Sequence, residues 1–300
     1  MRSRFASDRQ LTVRMVSVIF LLGLLYVAFI AALIVLLKSA VAVVVIVGGL
    51  LVAQYWYSDR IALFAMHATE VTADDQPHLH GAVDRLCAVA DMPKPRVAVA
   101  DTDLPNAFAT GRNADHAVIC VTTGLLRRLE PEELDGVLAH ELSHVAHRDV
   151  AVITIASFLG VLAGLIARFA LYSGMLRGRR GNPQLALVFA AVMGASVTVY
   201  AVSFLLIRTL SRYRELAADR SAAELTGRPS ALASALVKVS GDIARIPSRD
   251  LRTAQNFNAF FFAPALGRQR DLSTLFATHP SLEQRLDALA KISARLGEGA

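Results

Sequence analysis

Long uncharged stretches alternate with polar ones along this chain, and that alternation outlines the fold. Met15 to Leu37 holds no charged residue, and after Lys38 and Ser39 a second apolar stretch runs from Ala40 to Tyr55. The first is long enough to cross a bilayer, and the short break predicts a helical hairpin over residues 1–57. Tyr55, Trp56 and Tyr57, then Asp59 and Arg60, close the second stretch with the rings and charges that favour a membrane surface. Val150 to Ala167 is again uncharged, and after Arg168 and a loop with Arg177, Arg179 and Arg180 a fourth stretch spans Leu185 to Ile207. Four membrane crossings are predicted, the second pair over 150–207.

The polar segments 58–149 and 208–300 read as two halves of a domain outside the membrane. In the first half, a linker around Asp74, Asp75, Gln76 and Pro77 precedes an amphipathic helix from Leu79 to Ala90, which Pro93 and Pro95 end. The β-favouring runs Arg96 to Ala100 and Ala117 to Thr122, with NAFATG (Asn106 to Gly111) between them, predict a small sheet. If Ala107 to Thr110 is its edge, an extended peptide could add there as a strand, with Asn106 and Phe108 in contact with it. An ordinary surface hairpin is the alternative, and the sequence alone does not choose. The second half predicts helices near Ala231 to Ser240 and from Ser281, as cap, to Leu296. Phe257, Phe260, Phe261 and Phe262 form an aromatic patch that suits a cleft, a membrane surface or a core. The fold class is mainly α with a small β-sheet, in an integral membrane protein.

Composition supports that class: 54% of the 300 residues are hydrophobic, too many for an ordinary soluble chain. The first apolar run is too long, and too closely followed by another, for a cleaved signal peptide. Arg2, Arg4, Arg9 and Arg14 against Asp8 place the N-terminus inside, and two crossings return the chain to the same side. A multi-pass protein of the cell (inner) membrane, with both polar halves facing the cytoplasm, is expected. The loop arginines of the second pair then face outside, against the same bias, and full crossings are the reading kept here. The net charge of +6 does not call for nucleic acid, because the basic clusters flank apolar stretches, where lipid headgroups are the nearer partner. Cys87 and Cys120, far apart and outside any C-x-x-C, read as buried thiols.

The chemistry sits in VLAHELSHVAHR, Val137 to Arg148. Pro131, Glu132 and Glu133 suit the start of a helix, and Leu134, Val137, Leu138, Leu142 and Val145 give it a buried stripe; only Gly136 disagrees. On that helix His140 and His144 lie one turn apart and offer two nitrogens to one zinc ion. Glu141, turned partly aside, suits a base that takes a proton from a metal-activated water. In SRYRELAADR, residues 211 to 220, Glu215 and Asp219 share a helical face. At roughly 1.5 Å per residue, Glu215 and His144 both stand about 9 to 12 Å from the adjoining apolar stretches. An antiparallel pair of helices therefore brings them level, with Glu215 as third ligand. Asp219 can accept a hydrogen bond from the far nitrogen of a ligating histidine. His147 would need a distorted helix to join them and is assigned to the surface. Position 150 is Val150, so a third histidine at metzincin spacing is absent. His67, His78, His80 and His116 fall outside any ligand spacing.

With NAFATG, HELSH, a following membrane pair, Arg214-Glu215 with Asp219, and His279-Pro280 with Arg285, the chain resembles the HtpX-type membrane zinc metalloproteases, relatives of the type I CAAX prenyl proteases. The resemblance implies a zincin-like metalloprotease domain with one zinc ion per chain on His140, His144 and Glu215, and Glu141 as base. It gives His279 and Arg285 places at the substrate carbonyl or along the cleft, with His279 stabilising the oxyanion. Membrane or misfolded proteins are the implied substrates, in quality control. A catalytically silent membrane scaffold stabilised by zinc is the main alternative. Glu141 and a donor set of three, which leaves a position for water, count against it. A metal transporter would carry ionisable residues deep in its spans, and these have almost none.

Overall fold

A computed structural model describes residues 8–37, 40–147, 162–163, 183–243 and 280–297. The chain divides into two compact units, one of Thr12–Tyr57 with Val152–Leu210, the other of Met1–Leu11, Ser58–Ala151 and Ser211–Ala300.

The first unit holds most of helix α1 (Arg9–Leu37) and helix α2 (Ala40–Trp56), on the two apolar stretches from which the hairpin was expected. Phe29, Leu33, Val43 and Val47 cluster with Leu162, Ala163, Val192 and Val199, while Val13, Phe20, Leu24, Val27, Val41 and Ile46 are exposed. Apolar side chains on the outside as well as the inside are what a lipid solvent permits and water does not. Among the described residues two helical segments are long and apolar enough to cross a membrane, Arg9–Val35 and Ala190–Thr226. α2 has 17 residues, about 25 Å of helix, somewhat under a hydrocarbon core of about 30 Å. The expected third crossing lies outside the described residues except for 162–163. Four crossings are therefore not all seen, and two candidate spans are.

The second unit contains the sheet. Strand β1 (Ala68–Glu70) pairs antiparallel with β2 (Arg96–Ala100), β2 pairs parallel with β4 (Val118–Thr122), and β3 (Ala107–Thr110) pairs antiparallel with β4, giving the order β1-β2-β4-β3. β3 is thus both the edge strand and the first arm of the hairpin closed through Gly111. Side chains alternate between the two faces. Ala107, Ile119, Val121, Val97 and Val99 join the main core with helices α4 (Pro77–Ala90) and α6 (Pro131–Ala146). Ala98, Ala100, Phe108, Val118 and Cys120 instead meet Ala62 and Leu63 of helix α3 (Ser58–Ala65). Both α3 and β1 fall where the sequence suggested only a polar approach to α4. After β4 a short helix, α5 (Thr123–Leu126), is capped by Thr122, whose Oγ1 accepts from Leu125 N.

α6 starts as expected. Pro131 occupies its first turn, and Glu130 and Glu133 cap each other's backbone N–H groups. Glu133 also accepts from Ser234 Oγ at 2.6 Å and Lys238 Nζ at 2.7 Å, which ties α6 to helix α8 (Pro229–Ile243). Gly136 is buried in the middle of α6 because the backbone of Leu232 on α8 approaches it; a Cβ there would lie 3.3 Å from Leu232. Close helix packing therefore explains the residue that argued against the helix. Helix α7 (Pro183–Thr226) runs 44 residues without a break, about 66 Å, so Glu215 and Asp219 ride on the same helix as the fourth apolar stretch. Helix α9 (Leu282–Leu296) begins with a Ser281 and Gln284 capping box and ends at Gly297, φ 77°. Its inner face buries Arg285, Leu289 and Ile292.

Cys87 and Cys120 are free and buried, and burial pushes their thiols up to about 11 and about 12. Gly124, in α5, packs directly on neighbouring backbone: a Cβ there would stand 2.3 Å from the Asp103 carbonyl oxygen and 2.9 Å from that of Thr102. Both neighbours are backbone and cannot rotate away. Gly124→Ala is expected to destabilise this unit by about 1–3 kcal/mol, read as a lowered unfolding midpoint of the detergent-purified protein. An unchanged midpoint would show that this backbone contact can shift without loss.

Candidate metal centre

α6 sets His140 and His144 one turn apart, and α7 presents Glu215 to them. The Nε2 atoms of the two histidines are 3.2 Å apart. His140 Nε2 lies 3.5 Å from Glu215 Oε2, and His144 Nε2 lies 3.6 Å from Glu215 Oε1. The three ligand atoms fall within 4.8 Å of one another and all three residues are buried. Tetrahedral bonds of about 2.0–2.1 Å separate ligand atoms by about 3.3–3.4 Å, so these donors match one zinc-sized ion. They form the metal-type cluster found among the described residues. Each belongs to the same compact unit.

Behind the ligands lies a fully buried ion network. Arg285 on α9 donates from Nε to Asp219 Oδ2 at 2.7 Å and from Nη2 to Oδ1 at 2.6 Å. Asp219 Oδ1 also sits 2.9 Å from His140 Nδ1, somewhat off the direction of the ring N–H. Arg285 Nη1 is 3.9 Å from Glu215 Oε2. Burial by itself would raise the Asp219 carboxyl, but the Arg285 guanidinium, with His140, holds it below the ordinary carboxylate range. For the polypeptide alone, burial works against a charged His140, yet the bonds to Asp219 and Glu215 outweigh it and raise the imidazole to about 9. A dication held by His140 would reverse that balance, because a ligating imidazole must be neutral at the ligating nitrogen.

Glu141 stands beside the ligand set without joining it. Its Oε2 accepts from the Ala109 N–H of the edge strand at 2.9 Å. Burial raises its carboxyl to about 7, with Glu215 adding to the effect and His140 and the Ala109 N–H opposing it. A buried carboxylate held by one backbone donor, next to a metal-type site, is well placed for proton transfer near neutral pH.

The other expected site residues fall elsewhere. Phe108 is buried against α3, on the face of the sheet opposite α6, because strand alternation turns it away from its neighbours Ala107 and Ala109. Its expected contact with peptide is corrected to core packing. Asn106 is also buried, and its backbone is clamped to Thr122: Asn106 N donates to Oγ1 at 2.9 Å and Asn106 O accepts from Thr122 N at 2.9 Å. It anchors the start of β3. Arg285, expected to line the cleft, is 1% exposed with its guanidinium turned onto Asp219, since an unpaired buried Asp219 would be far costlier. His279 and the phenylalanines from Phe257 to Phe262 lie outside the described residues. His147 stays out of the ligand set, its Nδ1 2.8 Å from the Ser143 carbonyl at the end of α6. No spacing rule pointed to the Ala109 N–H as the partner of Glu141; only the pairing of β3 at the edge reveals it.

An H-E-x-x-H helix joined by a distant glutamate, with an acid clear of the ligand set, defines a metallopeptidase type of site. The chain belongs to peptidase family M48, whose profile matches residues 73–293. It is 71% identical over 298 residues to protease HtpX homolog 1 of Streptomyces coelicolor, covering 99% of this chain and 98% of that one. It is 50% identical over 299 residues to a protease HtpX homolog of Moorella thermoacetica, with 99% of each covered. The crystal structure of S. mikatae Ste24p shares the fold with a TM-score of 0.52 at 17% identity, over 94% of this chain and 66% of that longer one.

Asp219→Asn keeps the size of the side chain but weakens its hold on His140 and Arg285. Zinc affinity, measured by competition with a chelator, should fall by about 10- to 100-fold. An unchanged affinity would remove Asp219 from the support of the site.

Proposed function

We propose that this membrane metalloprotease is a zinc-dependent endopeptidase of the cell membrane, with its site on the cytoplasmic side and membrane or misfolded proteins as substrates. The observation that carries the reading is the set of three buried donors, His140, His144 and Glu215, with Glu141 next to them and bonded to the sheet edge. A zinc ion held there would supply Lewis acidity, making a water more acidic and polarising the scissile carbonyl. Glu141 takes the proton of the attacking water and returns it to the leaving amine. The Ala109 N–H keeps its carboxylate aimed, so the base does not depend on a mobile partner. β3 is last in the strand order and its Ala109 N–H reaches Glu141, so a peptide added to that edge as a strand would run past the base. The oxyanion role of His279 rests on the family resemblance alone.

The silent-scaffold alternative is disfavoured by the same donor set. Structural zinc is usually closed by four protein ligands, and here the described residues bring three. Exposed apolar side chains along α1, α2 and α7 support the membrane setting, and the resemblance supports quality control as the role.

Glu141→Gln should retain one zinc per chain and lose at least about 10²-fold in cleavage of a protein substrate. Undiminished cleavage would end the assignment of the base. Glu215→Ala should lose both the metal, by elemental analysis, and activity; full metal occupancy in that variant would take Glu215 out of the site.

A further inference from the structure

Helix α3 (Ser58–Ala65) has two faces of unequal purpose. Its inner face is held to the sheet: Ala62 and Leu63 pack on Ala98, Ala100, Phe108, Val118 and Cys120, and Asp59 pairs with Arg96 at 2.5 Å. The outer stripe at helical spacing, Tyr57, Arg60, Ile61, Phe64 and His67, is exposed throughout. Ile61 is 54% exposed and Phe64 83%, the latter with its ring stacked beside that of His67 at 6.5 Å. Two large apolar side chains, an arginine and flanking rings on one face, over a helix whose other face is fixed, form a surface that water does not favour.

Continuity along the chain says what covers it. α3 starts two residues after α2 ends, and α2 is an apolar helix that finishes in Tyr55 and Trp56. Such rings sit at the headgroup level of a bilayer, and a short amphipathic helix leaving that level presents Phe and Ile to the acyl boundary and Arg to the phosphates. We infer that α3 is an interfacial helix that lies on the membrane through Ile61 and Phe64, with Arg60 at the headgroups. Its partner is lipid, and its opposite face carries the sheet whose far edge is β3. The inference rests on the membrane reading proposed above.

The single tryptophan of the chain allows a test that separates the two. Full-length protein is reconstituted into phosphatidylcholine and phosphatidylglycerol vesicles containing lipid brominated high on the acyl chain. In the wild type Trp56 reports the end of α2. In Trp56→Phe with Phe64→Trp the probe reports α3, and in Trp56→Phe with Val89→Trp it reports an exposed position on α4. Bromolipid should quench the α3 probe about as strongly as Trp56, with blue-shifted emission, and leave the α4 probe unaffected. An α3 probe with red-shifted emission, quenched by aqueous acrylamide while Trp56 responds to bromolipid, would overturn the inference and leave the membrane reading standing. An α3 probe shielded from both quenchers would also overturn it, in favour of a protein partner or a second copy. Failure of bromolipid at Trp56 as well would remove the membrane reading itself, and the inference with it.

Discussion

The rest of the site depends on the carboxylate of Asp219. It is fully buried, and a buried charge costs several kcal/mol unless paired with good geometry. Arg285 supplies that pairing through two hydrogen bonds, and His140 takes the remaining approach through Nδ1. The consequence is geometric. Turning the His140 ring would separate Nδ1 from this carboxylate, which favours the orientation that directs Nε2 at Glu215 and His144. Three helices distant in sequence, α6, α7 and α9, are thereby held to one point by a charge that none of them could bury alone. A site preorganised in this way gives a metal little to rearrange on binding.

The two units obey different solvents. In the sheet unit most apolar positions turn inward, forming a main core around Val83, Ile119, Leu138 and Leu232 on one face of the sheet and a smaller cluster with α3 on the other. In the helical unit Val27, Val35 and Val41 are among the more exposed residues of the molecule, as a lipid surround allows. α7 passes from one regime to the other within a single helix, its apolar part giving way to Arg212, Arg214, Glu215 and Asp219.

Much of this was legible in the sequence because it rests on short-range rules. Helical spacing paired His140 with His144 and Glu215 with Asp219, apolar runs marked α1, α2 and much of α7, and β-branched runs marked β2 and β4. What stayed hidden depended on packing between distant segments. Phe108 lies beside the edge strand's functional atoms in sequence yet faces α3, because the register of β3 on β4 decides its side of the sheet. Arg285, placed along the cleft by the resemblance, is instead docked on Asp219 by α9. Gly136 looked like a helix breaker until Leu232 was seen against it. β1 and α3 are too short to carry a periodic signal of their own.

The central claim is that one ion draws its protein ligands from two helices as a pair of imidazoles and a single carboxylate. Zinc-edge X-ray absorption of the purified full-length protein tests it most directly. The account predicts one zinc per chain with a four-coordinate shell of nitrogen and oxygen only, at about 2.0–2.1 Å, and multiple scattering from two imidazole rings. A sulfur ligand near ~2.3 Å, or scattering from three imidazoles, would contradict it.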